Sequence, residues 1–128
     1  MASLFQRARL LPALVLVAAA ARGVGASDKQ EGLEVSGVER RFLVHEPAGY
    51  DGKARLPVVL IFHGGGGRAR GMPGLTGMDA LADREGFLAV YPDGLDKHWN
   101  DGRKVNSGKD DDAFVAKLLE RLAGRYPL

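Results

Sequence analysis

Residues 58–67 read Val-Val-Leu-Ile-Phe-His-Gly-Gly-Gly-Gly. An apolar, β-branched run without polar alternation suits a strand covered on both faces, as in a parallel sheet. It leads straight into a His and four glycines. Backbone N–H groups in such a loop can meet a developing negative charge only where no side chain crowds the approach, and glycine leaves that approach clear. Strand and loop together predict an α/β fold whose chemistry lies at the carboxyl ends of its strands.

The flanking segments agree. Residues 33–46 alternate imperfectly, as a half-exposed strand pair or bent strand does. Asp51-Gly52 is a turn dipeptide, and Leu56 to Phe62 forms the buried strand. Residues 63–74 read as a Gly-rich loop. Thr76 is placed to cap a helix from about Gly77 to Glu85, with Gly86 as its stop and Met78, Leu81 and Ala82 on its buried face. Phe87 to Tyr91 is a second buried strand, ended by Pro92-Asp93-Gly94. After an irregular stretch at 95–109, Asp110-Asp111-Asp112 opens a helix to about Ala123. Phe114, Val115, Leu118, Leu119 and Leu122 form its apolar stripe, and Gly124 and Pro127 close it. This order predicts a parallel sheet entered through an antiparallel hairpin. Both irregular loops, His63–Gly74 and Pro92–Lys109, fall on its carboxyl edge.

The N-terminus has a different character. Arg7 and Arg9 precede an apolar run from Leu10 to Ala21, and Val24-Gly25-Ala26 is a small-residue cleavage site. Residues 1–26 read as a secretory signal peptide, too short and too Pro-interrupted to span a bilayer. Residues 27–32 read as a polar linker, and 33–128 as the folded part. The leader contains Arg7, Arg9 and Arg22 and no acid, which leaves 15 basic against 16 acidic residues after it. The basic character of the whole chain therefore gives no warrant for nucleic-acid binding. Nor is a membrane partner expected once the leader is cleaved. Export without any cysteine points to a secreted protein, extracellular or periplasmic.

Other readings of the glycines are weaker. Gly66 and Gly71 have P-loop spacing, but Met72-Pro73 stands where Lys-Ser/Thr is needed. Gly64, Gly66 and Ala69 satisfy a relaxed dinucleotide fingerprint, but Pro73 falls inside the helix that would bind phosphate. No cofactor is expected. No metal is expected either: the acids at 93–112 fit no EF-hand spacing, and the triple Asp suits a helix start. His63 reads as a loop-orienting residue in preference to a general base. Asp93, Trp99 and Asn100 are candidates for a substrate-pocket loop, with Trp99 equally readable as a buried loop anchor. The four serines, Ser3, Ser27, Ser36 and Ser107, lie outside any Gly-x-Ser-x-Gly, and Thr76 is the sole threonine. None is poised as a nucleophile on a strand-to-helix elbow.

Taken together, these stretches resemble the secreted polyhydroxybutyrate depolymerase and feruloyl-esterase-like α/β-hydrolases of bacteria. The resemblance is carried by Leu56-Pro57-Val58 to Gly67, Leu75 to Phe87, Val90-Tyr91-Pro92-Asp93-Gly94 and Trp99-Asn100. Arg41 to Pro47 and Asp111 to Val115 add to it. The resemblance implies the N-terminal part of an α/β-hydrolase fold. It also implies carboxylic-ester hydrolysis through a Ser-His-Asp acyl-enzyme mechanism, with a polyester or feruloyl sugar as substrate. His63, Gly64, Gly65, Gly66 and Gly67 then form the oxyanion-hole loop, with the Gly65 or Gly66 N–H as donor. In that family the nucleophile strand follows the position of Arg125-Tyr126-Pro127, so no triad residue falls within this chain and activity of this chain alone is not expected. The strand at 58–62 is then left as an apolar edge, prone to aggregation. The alternatives are an exported, non-catalytic module that binds a polyester or aryl ligand, and a truncated product without function.

Overall fold

A computed structural model describes residues 27–106 and 108–128, so the leader reading and Ser107 lie outside the described residues. Strands β1 (Ser27–Val35) and β2 (Val38–Glu46) form an antiparallel hairpin. Its two-residue turn, Ser36-Gly37, has positive φ at both positions, matching the twist of the paired strands. Strand β3 (Val58–Leu60) leads to two helices, α1 (Met72–Thr76) and α2 (Met78–Glu85). Strand β4 (Leu88–Pro92) and helix α3 (Asp111–Ala123) follow. The sheet order is β1-β2-β4-β3, with β4 antiparallel to β2 and parallel to β3.

Period-two alternation divides the core between the two faces of this sheet. Phe42, Val44, Leu88 and Val90 pack with Phe114, Leu118 and Leu122 of α3 on one face. Ala89 and Tyr91 pack with Met72, Ala82 and Phe87 on the other, where Leu81 and Met78 of α2 join them. β4, flanked on both sides and covered on both faces, is buried at every position. The α3 stripe narrows to Phe114, Leu118 and Leu122, while Leu119 is left exposed.

Several boundaries differ from the sequence reading. Residues 27–32, read as a linker, are the first two-thirds of β1. Polar cross-links, rather than apolar alternation, mark this first part of the edge strand: Lys29 pairs with Glu46 at 2.5 Å, Asp28 with His45 at 2.6 Å, and Glu31 with Arg125; Leu33 and Val35 beyond it enter the core. The 56–62 strand shrinks to three residues, paired with β4 alone among the described residues. Its backbone bonds nevertheless extend from the Pro57 carbonyl, bound by the Leu88 N–H, to the Ile61 N–H, bound to the Val90 carbonyl. Within 63–74, a 3-10 turn at Ala69–Gly71 and helix α1 replace open loop. Gly77, not Thr76, caps α2, in the left-handed conformation that a β-carbon disfavours. Thr76 ends α1 and accepts the Met78 N–H from there. Among the described residues no helix is long and apolar enough to cross a membrane.

Candidate functional site

Because β3 and β4 run parallel side by side, the loops leaving their carboxyl ends leave together. His63 ties them. It is buried, and its Nε2 accepts the Gly94 N–H at 2.9 Å. An accepting nitrogen carries no proton, so the proton sits on Nδ1, which donates to the Gly64 carbonyl at 2.8 Å. The His63 carbonyl in turn accepts the Trp99 Nε1–H at 2.9 Å. The Trp99 indole lies 5.0 Å from the His63 ring and meets Phe62 edge-on at 5.2 Å. Trp99 therefore anchors the loop. Asp93 Oδ1 accepts the Ala69 N–H at 2.7 Å and stands 3.6 Å from His63 Nε2.

The glycines divide into two groups. Gly66 has φ +81°, and its N–H donates to the Lys97 carbonyl at 2.8 Å. Gly67 donates to the Gly64 carbonyl, and a β-carbon there would lie 3.0 Å from that oxygen. Gly94 is the tightest: a β-carbon would lie 2.6 Å from the His98 carbonyl oxygen. Gly67 and Gly94 are glycine because the chain's own packing requires it, and Gly66 because of its left-handed φ. Gly64 and Gly65 are different. Neither lies in the left-handed region, a β-carbon at Gly64 meets nothing, and one at Gly65 meets only the His98 ring at 3.5 Å. Among the described residues, no acceptor meets their N–H groups. The Gly66 N–H, expected as an alternative donor, is occupied by Lys97, which leaves Gly64 and Gly65 facing open space.

A buried network, absent from the sequence reading, supports the second loop. Arg40 of β2 is 2 % exposed and lies over the Phe114 ring at 4.1 Å. Its guanidinium donates to Asp111 Oδ1 at 2.7 Å, and Asp111 Oδ2 accepts the Asn100 N–H at 2.5 Å. The Asn100 side chain donates to the Lys109 carbonyl at 3.2 Å, so the residue is engaged with its own loop. Of the triple Asp, only Asp110 caps α3, accepting the Ala113 N–H. The available signal was Arg40 itself, a charge at an inward position of the alternation Arg40, Phe42, Val44.

No nucleophile faces the glycines among the described residues. Ser36 lies in the hairpin turn, and Thr76 Oγ1 donates to the Met72 carbonyl inside α1. His45, on β2, is held between Asp28 at 2.6 Å and Asp83 at 2.9 Å, with Asp79 at 3.7 Å. Asp28, His45 and Asp79 bring donor atoms within 4.8 Å of one another, but they already bond one another or, for Asp79, the Tyr91 hydroxyl. Burial opposes the charged imidazole. The hydrogen bonds to Asp28 and Asp83 and the charges of Asp79 and Asp83 outweigh it, so His45 titrates above the ordinary histidine value.

No family model matches this chain, and no curated protein sequence matches it. A solved ferulic acid esterase shares its fold. The superposition has a TM-score of 0.62 at 17% identity and covers 82% of this chain and 46% of that one. At that identity the likeness is one of architecture, and the chain spans less than half of the esterase's length.

Proposed function

We propose that the chain from Ser27 onward is the N-terminal part of a carboxylic-ester hydrolase domain, in which the Gly64 and Gly65 N–H groups stabilise the oxyanion of the acyl-transfer step. The single observation that carries this reading is the pair of glycines that neither packing nor backbone conformation requires, next to three that one or the other does. A β-carbon at Gly64 or Gly65 would intrude only on something that approaches from outside, and their N–H groups are free to donate to it. His63 acts as a positioning residue. With Nε2 accepting from Gly94 and Nδ1 donating to Gly64, it has no lone pair left to take a substrate proton.

The architecture shared with a ferulic acid esterase supports the reading at the level of fold, and the family resemblance extends it to polyester or feruloyl-type esters. The nucleophile, general base and acid would come from polypeptide beyond Leu128, added beside β3, whose far edge is unpaired among the described residues. We further infer that the protein is exported, with 1–26 as its leader. The coding sequence after the Leu128 codon tests the hydrolase reading, and N-terminal sequencing tests export. A continuing frame with Gly-x-Ser-x-Gly, whose product hydrolyses p-nitrophenyl butyrate or methyl ferulate, supports the hydrolase reading. A fully folded product without ester hydrolysis refutes it. N-terminal sequencing of the mature protein should begin at Ser27.

A further inference from the structure

A cleft of about 160 Å³ opens where the β1–β2 hairpin meets the turn that follows Gly67. Three arginines line it, Arg41, Arg68 and Arg70, with Gln30 beside them. The acid in its wall, Asp93, has Oδ1 engaged by the Ala69 N–H. Arg41 shares its charge with Glu39 at 3.0 Å, an exposed pair that water screens. Arg68 and Arg70 form no ion pair among the described residues.

The fold does not need this charge. Ala69 is the buried residue of the turn, and the arginines on either side of it point outward. The accumulation is also local, since acidic and basic residues nearly balance from residue 27 onward. With Arg41 paired to Glu39, the charges of Arg68 and Arg70 are the ones an anion in the cleft would neutralise. All three are arginine rather than lysine, and the planar guanidinium fork matches the paired oxygens of a carboxylate or phosphate.

We propose that this cleft is a binding site for an oxyanion group, carboxylate or phosphate, with Arg68 and Arg70 as its principal ligands. It stands independently of ester hydrolysis. If the chain does act on esters, the shared Asp93, 3.6 Å from His63, places the bound anion next to the glycine loop.

Titration of the full chain at low ionic strength with inorganic phosphate and, separately, citrate tests the proposal, followed by calorimetry and amide NMR shifts. Saturable one-to-one binding is expected, with shifts centred on Gln30, Phe42 and Ala69. Tighter binding of phosphate or of citrate identifies the preferred group. The exposed double variant R68Q/R70Q should retain the fold and weaken binding by roughly tenfold or more. Arg121→Gln, at an exposed position of α3 away from this cleft, should leave binding unchanged. Absence of saturation with both anions overturns the proposal. So does binding that R68Q/R70Q leaves intact, or that Arg121→Gln weakens equally.

Discussion

An alanine placed at each glycine of the two loops separates packing from function. At Gly94 the new β-carbon would lie 2.6 Å from the His98 carbonyl oxygen and 3.0 Å from its carbon, both backbone atoms. Backbone must move, and the Gly94 N–H bond to His63 moves with it. Overpacking of about 1–3 kcal/mol plus a lost buried hydrogen bond of about 1 kcal/mol gives roughly 2–4 kcal/mol of destabilisation. Gly66→Ala places a β-carbon at φ +81°, a cost of roughly 1–2 kcal/mol. Gly67→Ala presses on the Gly64 carbonyl at 3.0 Å and should cost about 1 kcal/mol. Gly64→Ala and Gly65→Ala meet no clash. By restricting the unfolded chain they should be neutral or stabilising, by up to about 1 kcal/mol. Urea denaturation of the five variants, with matched m-values, reads these differences directly. The predicted order of loss is Gly94 greatest, then Gly66 and Gly67, with Gly64 and Gly65 at or above wild type. If Gly64→Ala or Gly65→Ala costs as much as Gly66→Ala, the two open glycines are structural, and the argument for a ligand at them fails.

Three further outcomes follow from the same contacts. Asp111→Ala strands the buried Arg40 charge, left with the Phe114 ring and a long hydrogen bond to the Asp93 carbonyl at 3.5 Å, and should destabilise by about 3–5 kcal/mol in denaturant melts; a change below 1 kcal/mol would show that the pair is dispensable. His45 links β1, β2 and α2 through carboxylates, and its folded pKa lies above its unfolded one, so its contribution is complete below about pH 6.5 and is lost as pH rises through the folded value. Thermal melts from pH 5.5 to 9 should show that loss in wild type and a flatter profile in His45→Gln; identical slopes would exclude the staple. Leu118→Ala opens a cavity in the face under α3 and should cost about 2–5 kcal/mol by urea melts, whereas exposed Leu119→Ala should change little.

The core was legible because it obeys simple periods. β2 alternates, β4 is a short apolar run buried at every position, α3 carries a stripe at Phe114, Leu118 and Leu122, and Gly86 stops α2 where the sequence placed a stop. Segments held by polar contacts were harder to read. Ser27–Gly32 lacks apolar alternation because its strand is fixed by Lys29–Glu46, Asp28–His45 and Glu31–Arg125, pairs joined only across the hairpin and from the chain's far end. In the site, the identity of the loop residues was visible, but the division of labour among the glycines was not. It depends on Lys97 and His98 reaching back from the neighbouring loop, a juxtaposition set by the parallel pairing of β3 with β4. For the same reason Asp111 read as one of three acids at a helix start, although its carboxylate bridges Arg40 and Asn100.

The central claim is that Gly65 is glycine for the sake of an approaching acyl group. Its most direct test is kcat/KM for p-nitrophenyl butyrate, measured for wild type and Gly65→Ala in the polypeptide that includes the Gly-x-Ser-x-Gly segment. A loss of about tenfold or more is expected, mainly in kcat, with an unchanged melting midpoint. Full activity in Gly65→Ala, or a loss that merely tracks lowered stability, would contradict it.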